Sequence, residues 1–502
     1  MKRRKRVFLP RLVVGLAIVV MVGCGGNTSQ SPSPTSEAPP GALIVFGTDA
    51  PVCSVQSFSV VITSAGLVPQ GGGTAYSIIT SASPASVDFA RLVDFTTILA
   101  TASPSAGTYS QLQLTLTSPQ LTVLEVPPGS PAGTPMSPTA VSTSFSNGSG
   151  TDSLTVNINP SLTVSSNGTS GLVVDFNLRQ SVETDANGQV TGVVDPQFTL
   201  TPSTPSNGQL GEADTLFGVV QAVNTSSSNA NFTGNFSLQA QGGVGQTYTI
   251  QVTNNTDFEG DGVTGLSNLS SGTFVEVDAI VDTSGNIIAQ EVDAEEAVAA
   301  GNQKAGFLGE VIGVTRDSSG NATQFNLLVE HETRDVTSDV PLESSLSVTL
   351  QSTTRYRTNW HHWNQAALQF GPQTLGLAEM VAVYGSLQAG SPPTLTGESV
   401  FLRQRNVLGN FTSLLAAGSD DKTGGFTMTP CGPLFGAQPI TVLTFGDTRF
   451  RGVAGLNELT AQPTLNAAGL LFYEQTNGPA QQPTWTAPTW VMPAKTVRQL
   501  PQ

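Results

Sequence analysis

The chain has 502 residues, a formal net charge of −16, only 11% charged residues, 52 Gly and 32 Pro. Nucleic acid and anionic lipid headgroups are recognised by clustered Lys and Arg, so this acidic balance argues against a nucleic-acid partner. Abundant turn-forming residues with so few charges predict an all-β protein of many short strands, in a chain long enough for roughly two to four domains.

At the N-terminus a basic stretch (Lys2, Arg3, Arg4, Lys5, Arg6) precedes an apolar run from Leu12 to Val22. A spanning helix needs roughly 20 apolar residues, so residues 1–23 read as a secretory signal peptide and not as a membrane span. The sequence Met21-Val22-Gly23-Cys24 resembles a bacterial lipobox. That resemblance implies that Cys24 is diacylated, becomes the new N-terminus and attaches the chain to membrane through lipid. Cleavage there leaves 14 basic residues against 36 acidic ones, a net charge of −22. The expected location is the cell envelope, with the outer membrane favoured over the inner because Gly25 replaces the Asp that can signal inner-membrane retention. Residues 24–40 are a Pro- and Ser-rich tether without apolar periodicity.

Residues 41–205 read as seven short strands: 42–48, 58–64, 112–117, 121–126, 154–158, 172–178 and 197–201. Leu112, Leu114 and Leu116 alternate with Gln113 and Thr115, the period of a half-buried strand. Residues 127–151 read as a long surface loop. This pattern predicts a β-sandwich. The block resembles the bacterial lipoprotein family catalogued as domain of unknown function 4382. The resemblance rests on Thr48-Asp49-Ala50-Pro51, on Phe58 to Ile62, on Ala106 to Leu112 and on Leu172 to Ser181. It implies an exported β-domain and no particular chemistry.

An internal repeat follows. Its openings, Gly218, Gly309 and Gly409, are 91 and 100 residues apart. From each opening to a threonine that precedes an aromatic (Thr256, Thr354, Thr448) the spans are 38, 45 and 39 residues. The expected modules are residues 215–300, 305–405 and a divergent 408–502, each a small β-barrel whose closure removes exposed edges. The pattern, best in its first copy, resembles domain of unknown function 5666.

Searches for catalytic motifs return nothing: there is no Gly-x-Ser-x-Gly elbow, phosphate loop or His-Glu-x-x-His, and there are only three histidines. An enzyme is therefore not expected. Glu276, Asp278 and Asp282 share one parity, and Glu291 and Asp293 share one in the following segment. If those strands pair, like charges face each other, a cost that bound Ca²⁺ would remove. These five residues are the candidate metal site, against a plain solvated face; no other cofactor is expected. Trp360 and Trp363, which flank His361-His362, are candidate sugar-stacking residues, and His331 could add a third nitrogen in a metal site. Asp185, Asp282 and Asp317 open Gly-containing hairpin turns. Asp49 reads as a turn cap, and Asp175 as a structural carboxylate facing Arg179 or a backbone donor. Cys53 and Cys431, 378 positions apart, read as two unpaired buried thiols, since pairing would need a close inter-domain contact.

The leading expectation is a lipid-anchored envelope protein with a non-catalytic binding or structural role towards a glycan or a surface protein. The alternatives are an envelope carbohydrate-active hydrolase with an unrecognised carboxylate pair, or a passive spacer.

Overall fold

The computed structural model describes residues 39–50, 55–92, 96–125, 136–186, 189–241, 245–260, 263–294, 304–332, 340–358, 367–436, 438–459, 464–473 and 490–500. Residues 39–502 form one compact unit, and it is almost entirely β.

The first module is a sandwich of two sheets around one core. One sheet places Ala42–Ala50 parallel to Thr169–Asn177, with Thr97–Ala102 and Phe198–Pro202 outside them. The other is built on Gly107–Glu125, flanked by Ser57–Pro69 and Thr151–Val164. The sheets are linked through the pair Leu200↔Ile158. Leu43 and Val45 face the shared core, where Phe58 stacks on Phe176 across the sheets at 5.2 Å. Ile44 and Phe46, on the opposite face of the same strand, pack into the next module. Burial on both faces explains why this strand is a continuous apolar run and does not alternate.

Two sequence expectations change here. The strands read at 112–117 and 121–126 are one, Gly107–Glu125, which runs through Ser118 at φ 53°. Part of the expected loop 127–151 is the strand Ser137–Val141, paired onto that long strand from Leu121↔Val141 to Glu125↔Ser137.

Three barrels follow with one topology. In the first, Gln209–Asn224 pairs with Gly234–Ala240 on one side and Phe274–Asp282 on the other, and Gly234–Ala240 pairs in turn with Thr247–Val252. Ile287–Ala294 pairs antiparallel with Phe274–Asp282 and parallel with Thr247–Val252, which closes the barrel. The second repeats this order with Lys304–Arg316, Ala322–Glu332, Ser345–Thr358, Met380–Gln388 and the start of Thr394–Ala417. The third uses the end of Thr394–Ala417 with Gly424–Pro430, Ile440–Thr444, Thr464–Leu470 and Trp490–Gln499. This is the small Greek-key barrel of the OB type. No linker separates the second barrel from the third: the boundary expected between residues 405 and 408 falls inside the 24-residue strand Thr394–Ala417.

The opening glycines have a common physical cause. The first strand of each barrel must bend to serve two neighbours, and the partner backbone comes close. A Cβ on Gly218, Gly309 or Gly409 would lie 2.2, 1.9 or 2.4 Å from the carbonyl oxygen of Gln239, Leu328 or Thr429. A bulge follows within a few residues in all three, at Val220/Ala222, Val311/Gly313 and Phe411/Ser413. The three threonines are equally regular. Thr256, Thr354 and Thr448 accept from the backbone N–H three residues earlier, at 3.0, 2.9 and 2.8 Å. Each donates to a carbonyl of the closing strand: Ala289 at 2.8 Å, Gly397 at 2.7 Å and Ala494 at 2.8 Å.

Candidate functional site

The acidic ladder is real: Glu276 stands opposite Asp293 and Asp278 opposite Glu291. Its carboxylates are met by side-chain cations. Lys495 Nζ, from the last strand of the third barrel, donates to Asp278 Oδ2 at 2.8 Å and to Glu291 Oε2 at 2.7 Å. Arg403 pairs with Asp293. Asp282 turns away and caps its own hairpin, accepting from Ser284 N and Asn286 N at 2.8 Å each. Among the described residues no group of three or more His, Cys, Asp or Glu side chains is arranged to hold a metal ion. The repulsion that motivated a cation is relieved by amino-acid cations from a distant module.

Other candidates fall as follows. Asp317 accepts from Ser319 N and Asn321 N, and Asp185 from Gln189 N, so both are turn caps. Asp49 is buried and accepts from Leu178 N at 3.0 Å. Asp175 lies within the electrostatic reach of Arg498; burial raises its pKa and Arg498 opposes the rise. Cys431 is disulfide-bonded, which overturns the reading of two unpaired thiols. Cys24, Cys53, Trp360, His361, His362 and Trp363 lie outside the described residues. Trp490 is buried against Phe435 at 5.3 Å and donates to Leu377 O at 3.0 Å.

What sequence reading missed is where the four modules meet. A cavity of about 640 Å³ is lined by the sandwich (Asp88, Arg91), the first barrel (Phe217, Glu276), the second (Glu310, Glu330, His331, Glu343, Arg403, Arg405) and the third (Phe435, Asn466). Exposed Ser86, Gln120, Gln241 and Leu342 also line it and connect it to the surface.

Its charges cross module boundaries. Arg91 Nε lies 3.0 Å from Asp88 Oδ2, Arg91 Nη1 lies 3.6 Å from Glu330 Oε2, and Arg91 also pairs with Glu343. Asp88 accepts from Ser57 Oγ at 2.6 Å and Phe58 N at 2.9 Å, which fixes it beneath the guanidinium. Glu310, 1% exposed, accepts from Gln56 Nε2 at 2.5 Å and pairs with Arg405. Burial is the largest cause of the shifted titrations. Glu343 is pushed up to about 8, with Asp88 and Glu330 adding and Arg91 opposing. Glu276 is pushed up to about 8 by burial and Asp278, against Arg403 and Lys495. His331, stacked on Phe217 at 4.5 Å, is pushed down to about 3 by burial and Arg91. At neutral pH it is an uncharged imidazole.

A signal for these residues did exist. Cations are scarce in this chain, and Arg403 and Arg405 sit inside the apolar context Val400-Phe401-Leu402. Such placement is costly unless a partner is near.

Fold and cavity define an all-β, multi-module protein assembled around one shared polar chamber. Residues 41–191 match the family described as a domain of unknown function (DUF4382), and residues 217–293 match a second domain of unknown function (DUF5666). No curated protein matches the chain. Among solved structures, drosophila Unr CSD456 is 9% identical over 58% of this chain and 98% of that one, with a TM-score of 0.14. A likeness at that score carries no argument.

Proposed function

We propose that the chain is a lipid-anchored bacterial envelope protein with a non-catalytic recognition role towards a glycan or a surface protein. The observation that carries this reading is the shared cavity. Its volume of about 640 Å³ suits a small ligand, and its wall combines apolar, aromatic and hydrogen-bonding side chains. Fusing four modules around it holds those groups rigid, and rigidity lowers the ordering cost of binding. The lipobox-like Cys24 and the tether after it support the envelope address.

The test joins address to recognition. Cells carrying the wild-type chain or Cys24→Ala are separated into membrane and soluble fractions without detergent, then the wild-type chain is used to capture protein and glycan from detergent-solubilised envelope. The reading requires that Cys24→Ala leave the membrane fraction and that one glycan or protein be enriched. Soluble behaviour of both chains, or capture of nothing, removes it and favours a passive spacer.

One observation favours the hydrolase as a second reading. Carboxyl groups protonated near pH 7 (Glu276, Glu343) share a cavity with other carboxylates, the pairing that glycoside hydrolysis uses. Turnover of envelope polysaccharide that disappears in Glu343→Gln would establish it.

A further inference from the structure

We propose that the central cavity binds a polyhydroxylated organic cation, a small amino sugar or amino alcohol. Its ammonium would sit among the carboxyl groups around Arg91 and its hydroxyls on the amide side chains. The proposal deepens the recognition reading and rests on it for the choice of cavity.

The first argument is charge. Five carboxyl groups line the chamber (Asp88, Glu276, Glu310, Glu330, Glu343) against three guanidinium groups. Arg405 pairs with Glu310, and Arg403 pairs with Asp293 and faces Glu276. Arg91 is left to serve Asp88, Glu330 and Glu343 together. Around Arg91, then, three carboxyl groups share one guanidinium, and an ammonium placed there lets all three ionise.

The second argument is independent of charge. Asn466 is 2% exposed and lines the cavity, yet its Oδ1 has no hydrogen-bond partner. Glu343 Oε2, on another wall, is also buried without one. Leaving a buried polar atom unsatisfied costs about 1–3 kcal/mol, so native proteins rarely keep one without a use. Asn466 Oδ1 is an acceptor, and Glu343 Oε2 is one once its carboxyl ionises, so a ligand that completes both must bring donors. An ammonium with neighbouring hydroxyls does so. Gln56, Gln120, Gln241, Gln404 and Asn406 line the same space and can meet further hydroxyls.

Titration gives the proposal a signature. Glu343 faces Arg91, Asp88 and Glu330, with the Ser57 hydroxyl near it; Glu276 faces Asp278, Arg403, Lys495 and Glu291. A bound ammonium favours the ionised carboxylates, so binding releases protons and strengthens as pH rises towards 8.

The test uses the full chain in detergent and a matched pair of probes, 1-amino-1-deoxysorbitol and sorbitol, titrated calorimetrically in 0.15 M NaCl. That salt screens the acidic exterior over about 8 Å. The amine stays protonated below about pH 9. The expected result is one site that prefers the amine by about tenfold, as a charge-assisted contact would. Its affinity should rise about threefold from pH 6.5 to 8.5, with protons released. Asn466→Leu and Glu343→Gln should each weaken it several-fold. Asn466→Leu removes an oxygen that makes no hydrogen bond, so an unchanged melting temperature shows the fold is kept. Equal affinity for sorbitol, or amine binding that both variants leave intact, overturns the proposal. Cavity-dependent capture of a neutral glycan with no amine preference would overturn it too, while leaving the recognition reading in place.

Discussion

Lys495 Nζ lies 2.8 Å from Asp278 Oδ2, a residue 217 positions earlier in the chain. With Glu291 at 2.7 Å, one ammonium ties two facing carboxylates of the first barrel to the last strand of the third. Removing one member of a largely buried ion cluster leaves the others uncompensated. Lys495→Met should therefore destabilise the protein by about 3 kcal/mol, read by urea denaturation at pH 8. A change under 0.5 kcal/mol at pH 8 would show that the link is ornamental.

The threonine staples make a graded prediction. Thr448 and Thr354 are 2% and 8% exposed, whereas Thr256 is only partly buried. Replacement by Val keeps the shape but strands an N–H donor and a carbonyl acceptor. The cost should be about 1–3 kcal/mol, largest at Thr448 and smallest at Thr256. Serine at the same positions should recover most of it. Chemical denaturation of the six variants reads the order, and equal effects of Val and Ser would defeat the hydrogen-bond account.

The opening glycines predict a steric penalty. Gly309→Ala places a Cβ 1.9 Å from Leu328 O, which is backbone and cannot swing aside. Overpacking of this kind costs about 1–3 kcal/mol or more. Gly107→Ala meets nothing within 4 Å and should be close to neutral. Similar melting temperatures for the two variants would contradict this.

Stability should fall as pH rises from about 5 to 8. Glu276 and Glu343 titrate near 8 in the folded chain, far above an unfolded glutamate at about 4.3. Between those values the folded state binds more protons than the unfolded one, so the slope of unfolding free energy with pH is negative. Their contribution is complete below the unfolded value and is lost through pH 8. Glu276→Gln and Glu343→Gln should each flatten the fall in urea midpoint between pH 5.5 and 8.5. An unaltered slope in both would place the titrating groups elsewhere.

Parts of this were legible along the chain. Strand parity put like charges opposite or diagonal to each other if the two strands paired, because period-2 alternation is a local rule, and the structure sets the register at Glu276 opposite Asp293 and Asp278 opposite Glu291. The offsets joining Gly218 to Thr256, Gly309 to Thr354 and Gly409 to Thr448 were legible because one bend and one staple recur in each barrel. What the calcium reading left out lies where the rule stops being local. Parity shows that like charges meet, but not that Lys495 and Arg403 arrive from more than 100 residues away.

The sequence by itself determined the β class, the repeating barrels, the acidic ladder and the order of the family resemblances. All of these follow from spacing, turn chemistry and alternation within short windows. Only the tertiary structure decided that Thr394–Ala417 fuses two barrels, that Cys431 is disulfide-bonded, and that Arg91, Glu310, Glu330, Glu343 and Asn466 line one chamber. Those groups lie on different modules, and their meeting depends on how apolar faces such as Ile44 and Phe46 pack across boundaries. The hydrophobic effect that drives this packing has no direction. Its outcome is set by the summed shape of surfaces far apart in the chain.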